Sequence, residues 1–428
     1  MSWQKEYQSK LVSLEEAAGY IESGDTAFLS PMHGAPFQLA NAIAERIDEL
    51  MDVDILSGVE LYPFKFLQSS DYLGKINYHS LFTGGARAYY KYGNVNCNSV
   101  NLSQFTNSVR DVYHVNTLIA EVSPPDENGY MSWGPGGTTT NGDIAEFAKK
   151  IIVQVNKHQP MVYGVKTLIH VSQVTCICEE DHEIVSMPDD VLSEQDKIIA
   201  KYILEEIPDG ATIQLGLGNL TNAVGYGLMS KKNLSIHSEV FTNSMLKLYK
   251  AGVVNGNISC SFALGSKELH ASITDERIQF MPLSIVNSPA NVAKNPNMVA
   301  INACMMTDLT GQVCSESIGH YLYSSTGGQL DFVSGSWLAE GGINIMCLNS
   351  VNQKKDGTIV SNIMLNLPPG AAVTTPRSMV MNIVTEYGIA RLKNRSIRER
   401  VSAMISIAHP DFREELRKDA VKAGLLPE

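Results

Sequence analysis

IPDGATIQLGLGNLTNAVGYGLMSKKNLSIHSE, residues 207–239, reads as one strand–loop–helix–strand unit. Pro208-Asp209-Gly210 is a turn, TIQL (212–215) a short apolar strand, GLGNL (216–220) a glycine loop, 221–230 a helix, and 233–237 a second strand. Residues 21–56 run through the same order. Gly24-Asp25 leads into the strand TAFLS (26–30), a loop with Gly34, a helix over 37–49 and the strand DVDIL (52–56). A second pair follows in the same sequence. NTLIAEVSPPDENGYM (116–131) and MVAINACMMTDLTGQV (298–313) each give an apolar strand, then Asp-x-x-Gly at a turn, then a new strand. Two loose matches in the same order predict two homologous α/β domains.

The remaining pattern extends this reading. Further strands are expected at 150–155 and 343–348, and further helices at 14–22, 143–149, 194–206, 241–251 and 411–423. Such alternation implies layered α/β domains with largely parallel sheets. Met187-Pro188-Asp189-Asp190 followed by Ser193-Glu194-Gln195 reads as a linker entering an N-capped helix, so the boundary is expected near residue 190, with domains 1–190 and 191–428.

Composition narrows the function. The 428 residues are 44% hydrophobic and 18% charged, ordinary for a globular chain of more than one domain. A net charge of −12 argues against a general nucleic-acid binder, which needs basic stripes to neutralise phosphate. No apolar run reaches the roughly 18 residues of a membrane helix, and MSWQKEYQSK lacks the features of a secretory signal. Cysteines 97, 176, 178, 260, 304, 314 and 347 form no CxxC pair. They read as buried thiols of a reducing compartment, and a cytoplasmic location is expected. Cys176 and Cys178 flank Ile177 in a strand-like run and should share a face.

Several familiar chemistries are absent: there is no GxxxxGK[ST], HExxH or GxSxG motif, and the ten histidines are scattered. Three features remain. GLGNL resembles part of a dinucleotide fingerprint, but Thr221 stands where the third glycine belongs. His237-Ser238-Glu239 places a carboxylate at the end of the adjoining strand, where open α/β sheets bind ligands. An isolated Glu there also reads as a cap on a helix beginning near Val240. Ser325-Thr326-Gly327-Gly328-Gln329 is a turn poor in side chains, suited to backbone contact with a ligand or simply a turn.

Longer stretches decide among these readings. VSPPDENGY (122–130), VYGVKTLIHVSQV (162–174), IQLGLG (213–218), IHSE (236–239), INAC (301–304), GGQLDFVSG (327–335), KKDGTI (354–359), AAVTT (371–375), IVTEYGIA (383–390) and ISIAHPDFREEL (405–416) occur in this order along nearly the whole chain. They resemble the acetyl-CoA hydrolase/transferase family, and within it the 4-hydroxybutyrate and butyryl-CoA:acetate CoA-transferases. The resemblance implies two pseudo-symmetric open α/β domains of the CoA-transferase type with the active site between them. It implies an acyl-CoA:carboxylate CoA-transferase working by a ping-pong mechanism through a glutamyl-CoA thioester. An acyl-CoA hydrolase on the same scaffold, or a transferase for itaconate or another short diacid, is the alternative.

By motif, Glu239 matches the nucleophile, and the backbone amides of Leu217 and Gly328 match the oxyanion contacts. Asn287 matches the side chain that orients the glutamate. Gly216, Leu217, Gly218, Asn219, Leu220, Met305, Gly328 and Lys355 match positions along coenzyme A, and Glu386 one near the acyl group. Ser288 and Asn219-Leu220-Thr221 depart from the usual family residues. The repeat adds one expectation. The loop Pro31-Met32-His33-Gly34 is the counterpart of 216–220, so Met32, His33 and Glu60, within Val59-Glu60-Leu61, are expected to select the acid. The alternative leaves Met32 in the interdomain core and His33 on the surface. No metal and no permanently bound cofactor is expected, only acyl-CoA and a short carboxylic acid as substrates. No nucleic-acid or membrane partner is expected. The assembly should be a homodimer or homotetramer.

Overall fold

The computed structural model describes residues 2–188 and 191–428; Asp189 and Asp190 of the expected linker lie outside the described residues. The chain forms two compact units, one of residues 1–188 and 259–286, the other of residues 189–258 and 287–428. The first crossing falls two residues before the expected boundary at 190. Residues 259–286, which a single cut would leave in the second half, pack with the first unit. Met187 N–H donates to the Gly265 carbonyl at 2.7 Å, and Leu283 N–H to the Thr139 carbonyl at 2.9 Å.

In the first unit the sheet strands are β1 (Thr26–Leu29), β2 (Val53–Ser57), β3 (Ile76–Ser80), β4 (Val95–Cys97), β5 (Thr117–Val122), β6 (Lys150–Val155) and β7 (Cys176–Glu179). They lie in the order β7-β6-β5-β1-β2-β3-β4, all parallel. A parallel sheet is covered on both faces, which is why TLIAEV is buried at every position and KIIVQV at all but its first. Alternate side chains feed two cores. Ile55, Ile119, Ile152, Cys176 and Cys178 enter one, and Leu56, Leu118, Val153 and Ile177 the other. The two cysteines thus share a face, as their spacing predicts.

The second unit carries β8 (Thr212–Leu215), β9 (Leu234–Phe241), the first half, to Ile258, of β10 (Val254–Ala263), β11 (Met298–Ala303), β12 (Ile343–Cys347), β13 (Asn382–Thr385) and β14 (Gly388–Arg391). Their order is β14-β13-β12-β11-β8-β9-β10, with β13 and β14 forming an antiparallel hairpin. The order β13-β12-β11-β8-β9-β10 repeats β7-β6-β5-β1-β2-β3 strand for strand. The internal repeat is therefore a repeat of topology. Helices Ile397–Ile407 and Pro410–Lys422 cover this unit's core around Met346, Ile383 and Leu392. Ser193 opens the helix Glu194–Glu205 with a reciprocal capping box to Asp196.

Register makes the repeat precise enough to compare single residues. Thr26 lies opposite Asp54 in β1–β2, and Thr212 opposite Ser235 in β8–β9. Superposing TAFL on TIQL and counting four residues onward from Asp54 and Ser235 pairs Gly58 with Glu239. The first unit has no carboxylate at that position. Met32 and Gly218 also become counterparts, and both have positive φ, 51° and 133°.

Candidate active site

β9 continues through Glu239 to Phe241, and the next helix, Asn243–Lys250, starts only after Thr242. Glu239 is thus a strand residue. The capping alternative required a helix beginning near Val240, and that helix is not there.

Glu239 is partly exposed as a residue, but its carboxyl group is enclosed. Asn287, fully buried, donates its Nδ2 hydrogen to Oε2 at 2.9 Å. Gly328 approaches the same oxygen. A Cβ at Gly328 would collide with Glu239 Oε2 and Asn287 Nδ2, so only glycine brings the backbone this close to the carboxylate. Gly328 also caps the helix Gln329–Leu338, whose N-terminal end carries partial positive charge. Burial pushes the Glu239 carboxyl up to about 7; Asp331 in that helix's first turn adds to the rise, and the Asn287 hydrogen bond opposes it.

The glycine loop is held from beneath. Thr221, fully buried, directs its hydroxyl at the carbonyls of Gly216 (2.6 Å) and Gly218 (2.9 Å). Gly216 N–H donates to the Ile301 carbonyl at 2.9 Å. A Cβ on Gly216 would come 2.9 Å from Asn302 Oδ1, and Asn302 is locked to Gln214 by a reciprocal amide pair at 3.1 Å. Ser238 Oγ donates to the Leu215 carbonyl at 3.3 Å, tying the strand before Glu239 to the strand before the loop. Leu217 is left 49% exposed at the loop's crest, and Asn219 is exposed at the start of the helix Asn219–Gly227. Leu220 turns into the core.

The other expected residues of this unit are placed by local contacts of their own. Lys355 is exposed at the turn of the hairpin Val351–Gln353/Ile359–Ser361. Met305 is partly buried, its N–H bonded to the Cys314 carbonyl at 3.0 Å. Glu386 accepts from the hydroxyl and the N–H of Ser350 at 2.6 and 2.9 Å.

Met32, His33 and Glu60 belong to the first unit. Met32 and His33 are both buried, so the reading of His33 as a surface residue does not hold. His33 Nε2 donates to the Val185 carbonyl at 2.8 Å, and burial pushes this imidazole down to about 4. Glu60 is saturated: Tyr78 and Ser80 hydroxyls reach Oε1 at 2.7 and 2.9 Å, and the N–H groups of Gly84 and Ala86 reach Oε2 at 3.2 and 3.1 Å.

The sequence marks Thr221 only as a departure from the fingerprint, and gives no role to Asn302 or Asp331. Thr221 carried a signal, since it departs from the fingerprint at the one position where a hydroxyl can reach back to the glycine carbonyls. Asn302 and Asp331 carried none, because their roles depend on neighbours distant in sequence.

A carboxylate positioned by an amide, flanked by a glycine turn and tied to a glycine loop, is an arrangement that can serve covalent acyl transfer. The N- and C-terminal domain models of the acetyl-CoA hydrolase/transferase family match residues 1–188 and 265–420. The chain is 36% identical to a 4-hydroxybutyrate coenzyme A transferase of Clostridium kluyveri, over 99% of this chain and 100% of the relative. It is 34% identical to a butyryl-CoA:acetate CoA-transferase of Anaerostipes caccae, over 99% of each chain. The crystal structure of RipA from Yersinia pestis superposes with a TM-score of 0.93 at 33% identity, covering 99% of this chain and 100% of RipA. The chain belongs to the acetyl-CoA hydrolase/transferase family and is an acyl-CoA:carboxylate CoA-transferase.

Proposed function

We propose that Glu239 carries the transfer as a covalent intermediate in a ping-pong cycle. Its carboxylate attacks the thioester carbonyl, the C–S bond breaks, and the thiolate leaves with the electron pair to give a mixed anhydride. The thiolate then attacks the glutamyl carbonyl and expels the first acid as its carboxylate, leaving a glutamyl-CoA thioester. A second carboxylate runs the same steps backwards, and no net proton is consumed. Carboxylate is a weak nucleophile, so position and electrostatics must supply most of the rate. Asn287 fixes one oxygen of Glu239. The backbone at Gly328 and Leu217 is assigned the developing oxyanion, and the residues 216–220, Met305 and exposed Lys355 are assigned to coenzyme A.

The observation that carries this reading is the Asn287–Glu239–Gly328 contact, which spends a fully buried amide and an obligatory glycine on one carboxylate. Double-reciprocal plots against either substrate should be parallel, because the first acid leaves before the second enters. Lines that intersect in the absence of product would require a ternary complex and remove the covalent cycle.

The acid is proposed to be a short monocarboxylate such as acetate, butyrate or 4-hydroxybutyrate, on the strength of the relatives' substrates. Met32 is the first residue to test for acid choice. Its φ of 51° is a left-handed conformation unusual for a non-glycine side chain. Met32→Gly should shift kcat/KM ratios toward bulkier acids, whereas equal ratios in variant and parent would place acid choice elsewhere. His33 and Glu60 would act by holding their loops, since the nitrogen His33 donates and both Glu60 oxygens are already engaged. Seven free thiols suit a cytoplasmic enzyme, and a homo-oligomeric assembly is proposed with it. Among the described residues no helix is long and apolar enough to cross a membrane.

A further inference from the structure

The turn that brings Gly328 to Glu239 is suspended from a buried carboxylate. Glu316 is 7% exposed, and among the described residues no cation pairs with it. Its Oε2 accepts from the Thr326 hydroxyl at 3.2 Å and its Oε1 from the Thr374 hydroxyl at 2.9 Å. Its backbone carbonyl accepts from Tyr323 and Ser324 at 2.8 and 3.1 Å, closing the hairpin Ser317–Ile318/Tyr321–Leu322 just before the turn. Beyond the turn a second tether repeats the pattern. Ser315 Oγ donates to Gln329 Oε1 at 2.8 Å, and Gln329 Nε2 donates to Thr375 Oγ1 at 2.9 Å. The two anchors are joined, since Val313 and Thr375 exchange backbone bonds at 3.1 Å and Ser315 N–H reaches Thr374 Oγ1 at 2.9 Å. Gly327 and Gly328 therefore hang between two fixed points, Thr326 and Gln329, on one ribbon.

We infer that Glu316 is a positioning residue for the transfer, holding the 325–329 turn so that the Gly328 backbone meets Glu239. Stability alone does not explain it: a buried carboxylate satisfied only by hydroxyls costs desolvation energy that an apolar residue would avoid. Gly327, in the left-handed region at φ 68°, and Gly328 have no side chains to lock their conformation, so the turn needs an external anchor. The charge matters less than the shape, because an isosteric amide offers hydrogen-bonding groups at both positions.

This inference rests on the reading of Gly328 as a contact of the reacting carboxylate. The test measures turnover per active site, counting sites by the covalent CoA formed with acyl-CoA and no acceptor. Glu316→Ala should lower kcat per titrated site about 10- to 100-fold with KM for acyl-CoA within about twofold, since a misplaced donor acts on the transition state. Glu316→Gln should recover most of the loss. Thr326→Val removes a single hydroxyl and serves if Glu316→Ala does not fold; about a 5- to 10-fold loss is expected. Normal kcat per site in Thr326→Val, and in Glu316→Ala where it folds, with the loss confined to yield or Tm, would make Glu316 merely structural. Failure of the parent enzyme to form any adduct would instead strike the underlying reading of Glu239.

Discussion

At the scale of single residues, the proposed chemistry turns on one carboxyl group raised to about 7. With Glu239 as the proposed nucleophile only the ionised form attacks, so kcat/KM for acyl-CoA should rise with pH and level off above about 7. The neighbours should move this limb in opposite directions. Asn287→Ala removes a hydrogen bond that favours the anion and should shift the limb to higher pH, while Asp331→Asn removes a repelling charge and should shift it lower. Limbs that coincide in parent and both variants would show that another group titrates. The same shift has a stability consequence of definite sign. Glu239 holds its proton in the native state from 4.5 up to about 7, where the unfolded chain has lost it. The penalty is absent below that window, grows through it, and is full above it. At about 1.4 kcal/mol per unit it is of the order of 3 kcal/mol. Glu239→Gln should therefore raise Tm at pH 8 and change it little at pH 4, and a uniform change at both would contradict the assignment. The position of Glu239 at a strand's end was legible in IHSE. Its elevated basicity was not, because burial and the approach of Asp331 are products of the fold.

At the scale of elements, the glycine loop was legible as strand, loop and helix, but its rigidity was not. A letter T in place of a third glycine does not say that its hydroxyl faces two carbonyls. Thr221→Val keeps the shape and removes the tether, so we expect a loss of about 1 kcal/mol in stability and about a tenfold fall in kcat. Equal kcat with lowered Tm would confine Thr221 to folding. The strand before Glu239 shows why element ends are hard to read. His-Ser-Glu is a poor strand sequence by composition, yet β9 runs through it to Phe241 because it is held alongside β8. Propensity placed the end four residues early, and with it arose the capping alternative. The helix at 194, by contrast, was legible because its cap is written locally, in Ser193 and Asp196.

At the scale of the whole molecule, two faint sequence matches proved to belong to two sheets that share the order of six strands. What they could not show is where the units exchange chain. Residues 259–286 begin inside β10, a strand that straddles the division, and contacts with residues far back in sequence assign them to the first unit. The repeat is also asymmetric at one position, since the register places Gly58 where Glu239 stands. That asymmetry is the centre of the account, and one measurement reaches it directly. The enzyme is incubated with acyl-CoA in the absence of an acceptor acid, digested, and its peptides are weighed by mass spectrometry. Coenzyme A is expected in thioester linkage on the peptide carrying Glu239, discharged by acetate and absent from Glu239→Gln. An adduct on a different residue, or full turnover by Glu239→Gln, would contradict that expectation.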